Sequence, residues 1–307
     1  MGETVKRELP PEWKGIIPSE QFLDEAKRIV EVASEKGIVI RIIGGIAIRL
    51  HCMEFEEFAK KLVRLGKKEQ EFSDLDFMSY GKYRKKLKDF FKENFNYIKR
   101  KTTLSSAISK RDIYFHPKLW WFTDVFFDEL MVANHPINFR KRLELESPTI
   151  TVTDLLLEKL QMWEALDLKD IKDVLLLLRA HDIGESEKET VNGNYIAKLF
   201  VKDWGFYYTA TTNLKRIIDL LEHAEEWASK QDPLKFLLNL SKSDRKDIIS
   251  KGSKLLHIVE NEPKGFRWKM RAKVGTKKQW YNPVETEKTI SDFGIWRLKE
   301  VFPDEVD

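Results

Sequence analysis

Two aspartates spaced two positions apart, Asp74 and Asp76, are the residues whose spacing most suggests chemistry, and they lie in the segment EFSDLDFM at 71–78. On a β-strand, side chains at i and i+2 point to the same face, so both carboxylates would project together. Two like charges this close are unfavourable unless a cation lies between them. Oxygen ligands suit Mg²⁺ or Mn²⁺ better than zinc. The spacing therefore predicts a divalent-cation site, and the alternative is two solvent-facing aspartates on an edge strand.

A Gly44-Gly45 pair lies upstream, after a β-branched run at 38–43 and before a helical pattern at 46–50. Glycines at the start of a helix let backbone N–H groups come close to a phosphate. The pattern predicts a strand, a phosphate-binding turn and a helix, although Gly-Gly pairs also occur in ordinary tight turns.

The apolar segment WFTDVFFD at 121–128 predicts another strand that carries carboxylates. Asp124 begins the apolar run, and Asp128 would share its face on an ideal strand. Asp112 begins a further predicted strand at 112–115. Burying any of these carboxylates without a partner would be unfavourable.

Composition limits the class of protein. The chain has 307 residues, 42% of them hydrophobic, which is enough for two domains. No apolar run approaches the roughly 18 residues of a membrane span, and the polar segment 1–14 is not typical of a signal peptide. Cys52 is the single cysteine, which fits a reducing cytoplasm. We expect a cytoplasmic protein without a membrane partner. His51, His116 and His135 lack the spacing of a zinc site.

Basic residues are concentrated in two segments, although the net charge is only +4. Segment 82–111 contains eleven Lys and Arg against two acids, and segment 264–278 contains seven with no acid. Such surfaces attract anions, and Trp268, Trp280 and Tyr281 could stack on RNA bases. The alternative is a solvated charged face.

The predicted elements change in character near residue 150. Residues 19–150 predict an α+β head with a mixed sheet and helices at 19–37, 54–65 and 82–95. Residues 151–261 predict helices only, the first capped by Thr153 or Asp154 and the longest covering 205–230. Residues 262–307 predict a basic and aromatic arm, with an alternating hairpin at 263–283.

The order of these motifs resembles the DNA polymerase beta-like nucleotidyltransferase superfamily over about residues 38–180. Within it, the chain looks most like nucleotidyltransferase-family proteins allied to the AbiEii and MenT toxins. Gly44-Gly45-Ile46-Ala47 is similar to their Gly-Gly-x-Ala start, and SDLDF at 73–77 and DVFFD at 124–128 are similar to their aspartate strands. The segments DLLLEKLQ at 154–161 and KDIKD at 169–173 resemble their lysine and aspartate helices.

The resemblance implies a nucleotidyltransferase-fold head, with two metal ions held by Asp74, Asp76 and a third aspartate. Asp124 is preferred as the third ligand because it begins the apolar run and has the family's position, and Asp128 and Asp112 are the alternatives. The resemblance also implies that Gly44 and Gly45 hold nucleotide phosphates. Ser73 is expected either to hydrogen-bond a metal ligand or simply to start the strand. In the same way Lys159 is expected to face the nucleotide, and Asp170 to belong to the site or support it, with Asp173 as its competitor.

The implied activity is metal-dependent transfer of a nucleoside monophosphate from a nucleoside triphosphate to an acceptor hydroxyl, with release of pyrophosphate. Mg²⁺ or Mn²⁺ would be the cofactor, and RNA, tRNA in particular, is preferred as acceptor over protein or a small molecule. An antitoxin is a further partner that the resemblance raises. The alternative is a non-catalytic module that binds nucleotide or RNA.

Overall fold

The computed structural model describes residues 9–65, 71–101, 110–131, 134–163 and 166–283. The fold is mixed α+β with an open, mixed sheet. The strands are β1 (Ile40–Ile42), β2 (Leu75–Ser79), β3 (Ile98–Lys99), β4 (Arg111–Phe115), β5 (Phe122–Phe127), β6 (Glu129–Leu130), β7 (Ile137–Asn138), β8 (Asp182–Gly184) and β9 (Thr190–Asn192). The helices are α1 (Ser19–Glu35), α2 (Gly44–His51), α3 (Glu56–Leu62), α4 (Arg84–Phe95), α5 (Val152–Leu160), α6 (Leu168–Ala180), α7 (Gly193–Phe200), α8 (Trp204–Glu222), α9 (Ala224–Lys230), α10 (Lys242–Asn261) and α11 (Phe266–Val274).

Five strands form the main sheet in the order β1-β2-β5-β4-β3. The pairing of β2 with β5 is parallel, and the other three pairings are antiparallel. Residues opposite each other in register share a face of the sheet. Asp76 is opposite Asp124, and Asp124 is opposite Ile113 on β4. These three side chains therefore lie in one row on one face.

The other face of the sheet is covered by aromatic side chains of α4. Tyr114 is opposite Thr123, and the ring of Phe91 packs 4.5 Å from the ring of Tyr114. Since Tyr114 and Asp124 belong to adjacent rows, the aspartate row faces away from α4. The apolar stripe of α4 thus anchors the sheet and leaves the aspartates on the opposite side.

The chain after residue 147 is joined to the edge of this sheet. Ile42 of β1 donates its N–H to the carbonyl of Pro148 at 3.0 Å, and Ile150 donates to the carbonyl of Ile42 at 3.1 Å. The Thr151 side chain then caps α5 by accepting from the N–H of Asp154. The buried hydrophobic cluster continues from α1 to α10. The domain boundary between residues 150 and 151 stays a prediction. The N-cap of α5 is Thr151, which lies two to three residues before the predicted caps Thr153 and Asp154.

Several predicted elements differ in the structure. The helix expected at 54–65 is shorter, because a 3₁₀ turn covers Met53–Phe55 and α3 ends at Leu62. The helix expected at 205–230 breaks at His223, whose backbone is not helical. Residues 151–261 are not only helical, since β8 and β9 form a parallel pair whose buried side chains are Ile183 and Val191. The β-branched residues of β9 favour a strand over the helix predicted there.

The hairpin predicted at 263–283 is wrong, because residues 266–274 form α11. Phe266, Met270 and Val274 recur at the four-residue spacing of a helix and are all exposed. Basic residues lie between these apolar residues, so the sequence resembles the alternation of a strand and hides the helical period. The predicted arm beyond residue 283 lies outside the described residues. Among the described helices, none is long and apolar enough to cross a membrane.

Candidate active site

The aspartates predicted as metal ligands converge at the start of two neighbouring parallel strands. Asp76 and Asp124 are direct neighbours across β2 and β5. Asp74 immediately precedes β2 and is exposed, and the Ser73 hydroxyl donates to its Oδ1 at 3.0 Å. Ser73 is thus in contact with a predicted ligand.

The charge around Asp76 is predominantly negative. Burial raises the pKa of Asp76 well above its ordinary value, and the charges of Asp74, Asp124 and Glu158 raise it further. Lys169 acts in the opposite direction, but less strongly than these carboxylates. An ionised Asp76 is therefore unfavourable here unless additional positive charge is brought in.

The negative charge of Asp124 is better compensated than that of Asp76, because Arg111 lies beside it. Burial raises the pKa of its carboxyl to about 6, while the guanidinium of Arg111, 2.9 Å from Oδ2, opposes that shift. With Asp124 held by Arg111 and Asp74 by Ser73, the three aspartates are not gathered closely enough to share one ion without rearrangement. Side-chain rotation at Asp74 and Asp124 would be needed to close the set.

The rival third ligands lie elsewhere. Asp112 is on the face covered by α4, 1% exposed, and is paired with Arg84 at 2.6 Å and Lys99 at 2.8 Å. Asp128 follows the far end of β5, about 13 Å along the strand from Asp124, and accepts a hydrogen bond from Gly81. Of the three candidates, Asp124 alone is next to Asp76.

Gly44 begins α2 against Asp76. A Cβ on Gly44 would lie 3.2 Å from Asp76 Oδ2, and its φ of +68° is one that side chains other than glycine rarely adopt. The neighbouring Ile43 N–H donates to the Asp76 carbonyl at 2.9 Å. The Gly44 N–H donates to Glu158 Oε2 at 3.1 Å. A carboxylate thus occupies the predicted phosphate position.

Gly45 is covered by a guanidinium. A Cβ on Gly45 would lie 2.5 Å from Arg64 Nη2. Arg64 makes two hydrogen bonds to the carboxylate of Asp173, at 2.6 and 3.0 Å, and a third to the carbonyl of Glu71. The start of α2 therefore combines backbone donors with a fixed cation, an arrangement suited to an anion.

Lys159 lies in a buried ion-pair cluster. Its Nζ is 3.1 Å from Asp170, 3.2 Å from Asp173 and 3.4 Å from Glu158, and the residue is 4% exposed. Burial alone would lower the pKa of Lys159, but the three carboxylates hold it above its ordinary value. These contacts suit a residue that fixes Glu158 and α6. Because Lys159 contacts both Asp170 and Asp173, they do not decide which of the two aspartates has the predicted role. Direct contact of Lys159 with a nucleotide stays a prediction.

Sequence reasoning missed Arg64, Arg111, Glu158 and Lys169, all of which bear on the charge of the site. Glu158 and Lys169 lie within the quoted helix motifs, so their positions beside Lys159 and Asp170 were a usable signal. The two arginines carry no local pattern, because tertiary packing alone brings them to the site. No protein-family model, curated protein or solved structure matches this chain.

Proposed function

We propose that the chain is a metal-dependent nucleotidyltransferase with the fold of the DNA polymerase beta-like superfamily. The observation that carries the proposal is the parallel register of Asp76 and Asp124 beside the glycine start of α2. A carboxylate row next to a helix N-terminus suits a substrate that carries both phosphates and a divalent cation.

The donor set fits Mg²⁺ or Mn²⁺. Asp74, Asp76 and Asp124 offer only carboxylate oxygens, which these ions prefer. The excess of negative charge at Asp76 is the electrostatic condition that a cation would relieve. When bound, the metal would lower the pKa of the attacking hydroxyl and neutralise the leaving pyrophosphate.

The residues at the start of α2 would bind the triphosphate. Arg64 and Lys169 supply positive charge, and the Gly44 and Gly45 amides supply donors. The Gly44 N–H now donates to Glu158, so a phosphate oxygen would have to replace that carboxylate. Lys159, through its three carboxylate partners, would hold Glu158 and α6 in position.

The reaction is displacement at the α-phosphorus of the nucleotide. The acceptor oxygen forms a bond to this phosphorus, the bond to the bridging oxygen of the β-phosphate breaks, and pyrophosphate leaves. The proton of the hydroxyl passes to Asp124 and then to water. RNA is the proposed acceptor, because the exposed face of α11 lies within a segment that carries seven basic residues and no acid. The proposal of a cognate antitoxin as a partner rests on the resemblance alone.

Label transfer tests this function. The full chain is incubated with each α-labelled nucleoside triphosphate, bulk tRNA and Mg²⁺ or Mn²⁺, and labelled RNA and protein are separated. We expect transfer by the wild type, a loss of about 100-fold or more in Asp76→Asn and Asp124→Asn, and no change in Asp89→Asn, an exposed aspartate on α4.

Thermal melts of the variants would exclude misfolding as the cause of a loss. The proposal fails if no acceptor is labelled and Asp76→Asn leaves metal-dependent nucleotide binding unchanged. Salt-sensitive RNA binding that persists in every aspartate variant without transfer would instead support the RNA-binding alternative.

A further inference from the structure

A second group of metal-ligating side chains lies at the opposite end of α2 from the glycine pair. His51, His181 and Glu189 offer one donor atom each, and all three atoms lie within 4.8 Å of one another. The His51 and His181 side chains are 3% and 5% exposed, whereas that of Glu189 is 52% exposed. Two buried imidazoles thus meet one carboxylate that is open to solvent.

The surroundings of His51 suit a ring that binds a metal through Nδ1, which lies 3.1 Å from Glu189 Oε1. The hydrogen of such a ring would lie on Nε2, where the carbonyl of Ile150 at 3.0 Å and the hydroxyl of Thr149 at 2.7 Å can accept it. In the other tautomer the Thr149 hydroxyl donates to Nε2 and Nδ1–H donates to Glu189, so a metal ion would replace that hydrogen. Metal-binding histidines are typically oriented in this way, with the second nitrogen donating to a carbonyl.

His181 presents a similar arrangement. Its Nδ1 lies 3.6 Å from Glu189 Oε2 and 3.2 Å from the Glu189 carbonyl, and its Nε2 lies 3.7 Å from Cys52 Sγ. In a metal-bound ring the hydrogen of His181 would lie on Nε2 and point at the Cys52 sulfur. Nδ1 would then face the carboxylate as a ligand, in place of its hydrogen bond to the Glu189 carbonyl.

The surroundings add negative potential. His51 is the last residue of α2 and His181 directly follows α6, so the negative ends of two helix dipoles meet at the cluster. Glu189 has a φ of 48°, an uncommon backbone conformation that brings its carboxylate to the two rings. Glu146 interacts electrostatically with His51 and Glu189, and its buried Oε2 has no hydrogen-bond partner among the described residues.

We propose that His51, His181 and Glu189 form a zinc site that joins the C-terminal ends of α2 and α6, with Glu146 or water at the fourth position. Two imidazole nitrogens and one carboxylate are a ligand set typical of zinc and unlike the all-oxygen aspartate set. The site uses no residue assigned to nucleotide transfer, so it stands whether or not that function does.

Zinc alone is the probe for the test. The full chain is stripped with a chelator, equilibrated with Zn²⁺ and analysed for bound metal. We expect about one equivalent in the wild type and in Asp76→Asn, and less than about a tenth of that in Glu189→Gln and His51→Ala. His223→Ala is the matched control, because His223 also contacts a carboxylate, Asp219 at 3.0 Å, but is exposed and belongs to no group of three metal-ligating side chains among the described residues.

Two further measurements keep the result interpretable. Co²⁺ bound to the wild type should give the absorption of a four-coordinate site, which requires no variant to fold. Zn²⁺ should raise the melting temperature of the wild type but not of Glu189→Gln, whose exposed side chain makes misfolding a poor explanation. Absence of zinc from the wild type, or equal zinc content in Glu189→Gln, would overturn the proposal.

Discussion

Asp76→Asn should stabilise the metal-free protein while removing the proposed transfer activity. The substitution keeps the shape of the side chain and removes a charge that three carboxylates oppose. Neighbouring strands are about 4.8 Å apart, and two charges at that distance repel by about 3 kcal/mol at an effective dielectric constant near 20. Partial protonation and the opposing charge of Lys169 reduce this, so we expect a gain of about 1–2 kcal/mol in the free energy of unfolding.

Asp173→Asn is the matched control with the opposite sign. Asp173 is more deeply buried than Asp76, but Arg64 and Lys159 compensate its charge at 2.6 and 3.2 Å and contribute to a lowered pKa. Its substitution removes the carboxylate that Arg64 is paired with and one of the three around Lys159, and should cost about 3–5 kcal/mol. The two variants therefore test whether the charge at Asp76 is truly uncompensated.

Urea unfolding at neutral pH in chelator measures both variants, and a repeat in Mn²⁺ completes the test. The metal should stabilise the wild type more than Asp76→Asn, which reverses or removes the advantage of the variant. The pH dependence of stability has the same sign. A carboxyl whose pKa is raised in the folded protein destabilises the fold at pH values above that raised pKa, and has no such effect at pH values below its ordinary pKa. If Asp76→Asn is as destabilising as Asp173→Asn in chelator, the reasoning for a cation at the aspartates is wrong.

Three other outcomes are expected. Gly44→Ala should cost about 1–2 kcal/mol for its left-handed backbone, and Gly37→Ala, at a φ of +65° with open space around it, should cost the same. Only Gly44→Ala should also reduce the proposed transfer activity, because its Cβ would lie 3.2 Å from Asp76 Oδ2. Burial lowers the pKa of His135 to about 4, so the protein should lose about 3 kcal/mol of stability as pH falls from 6.5 to 4. The melting temperature of His135→Asn should change less across that pH range than that of the wild type, and parallel profiles would contradict this. Lys269→Glu on the exposed face of α11 should weaken RNA binding and reduce its salt slope by at least about one, and an unchanged slope in filter-binding titrations would remove α11 from the RNA surface.

Local patterns predicted the elements that carry the candidate site, within a few residues. The glycine pair begins α2 and the strand around Asp76 exists, both as predicted. These succeed because a hydrophobic run beside a glycine or a cap is a local signal. Which carboxylate neighbours Asp76 depends on strand order, and β5 reaches β2 across β3 and β4 in the sequence, so no spacing could choose Asp124 over Asp112.

Long-range packing also explains the errors. The strand pair β8 and β9 is short, and its side chains Ile183 and Val191 are buried mainly by elements distant in sequence. The ring of His51 meets Glu189 across 138 positions, which is why spacing alone gave no zinc site. Charged residues without a periodic pattern, such as Arg64, were invisible for the same reason.

Helix α2 connects the two proposed sites. It has eight residues, so its ends are about 12 Å apart, with Gly44 against Asp76 at one end and His51 in the histidine cluster at the other. Isolated helices this short are unstable and depend on what holds their ends. At the first end Glu158 accepts from the Gly44 N–H and Asp76 lies beside Gly44, and at the second Glu189 faces Nδ1 of His51. The helix dipole favours anions at the first end and cations at the second. The carboxylates at Gly44 therefore already stabilise the start of α2, and a zinc ion at His51 should stabilise its end.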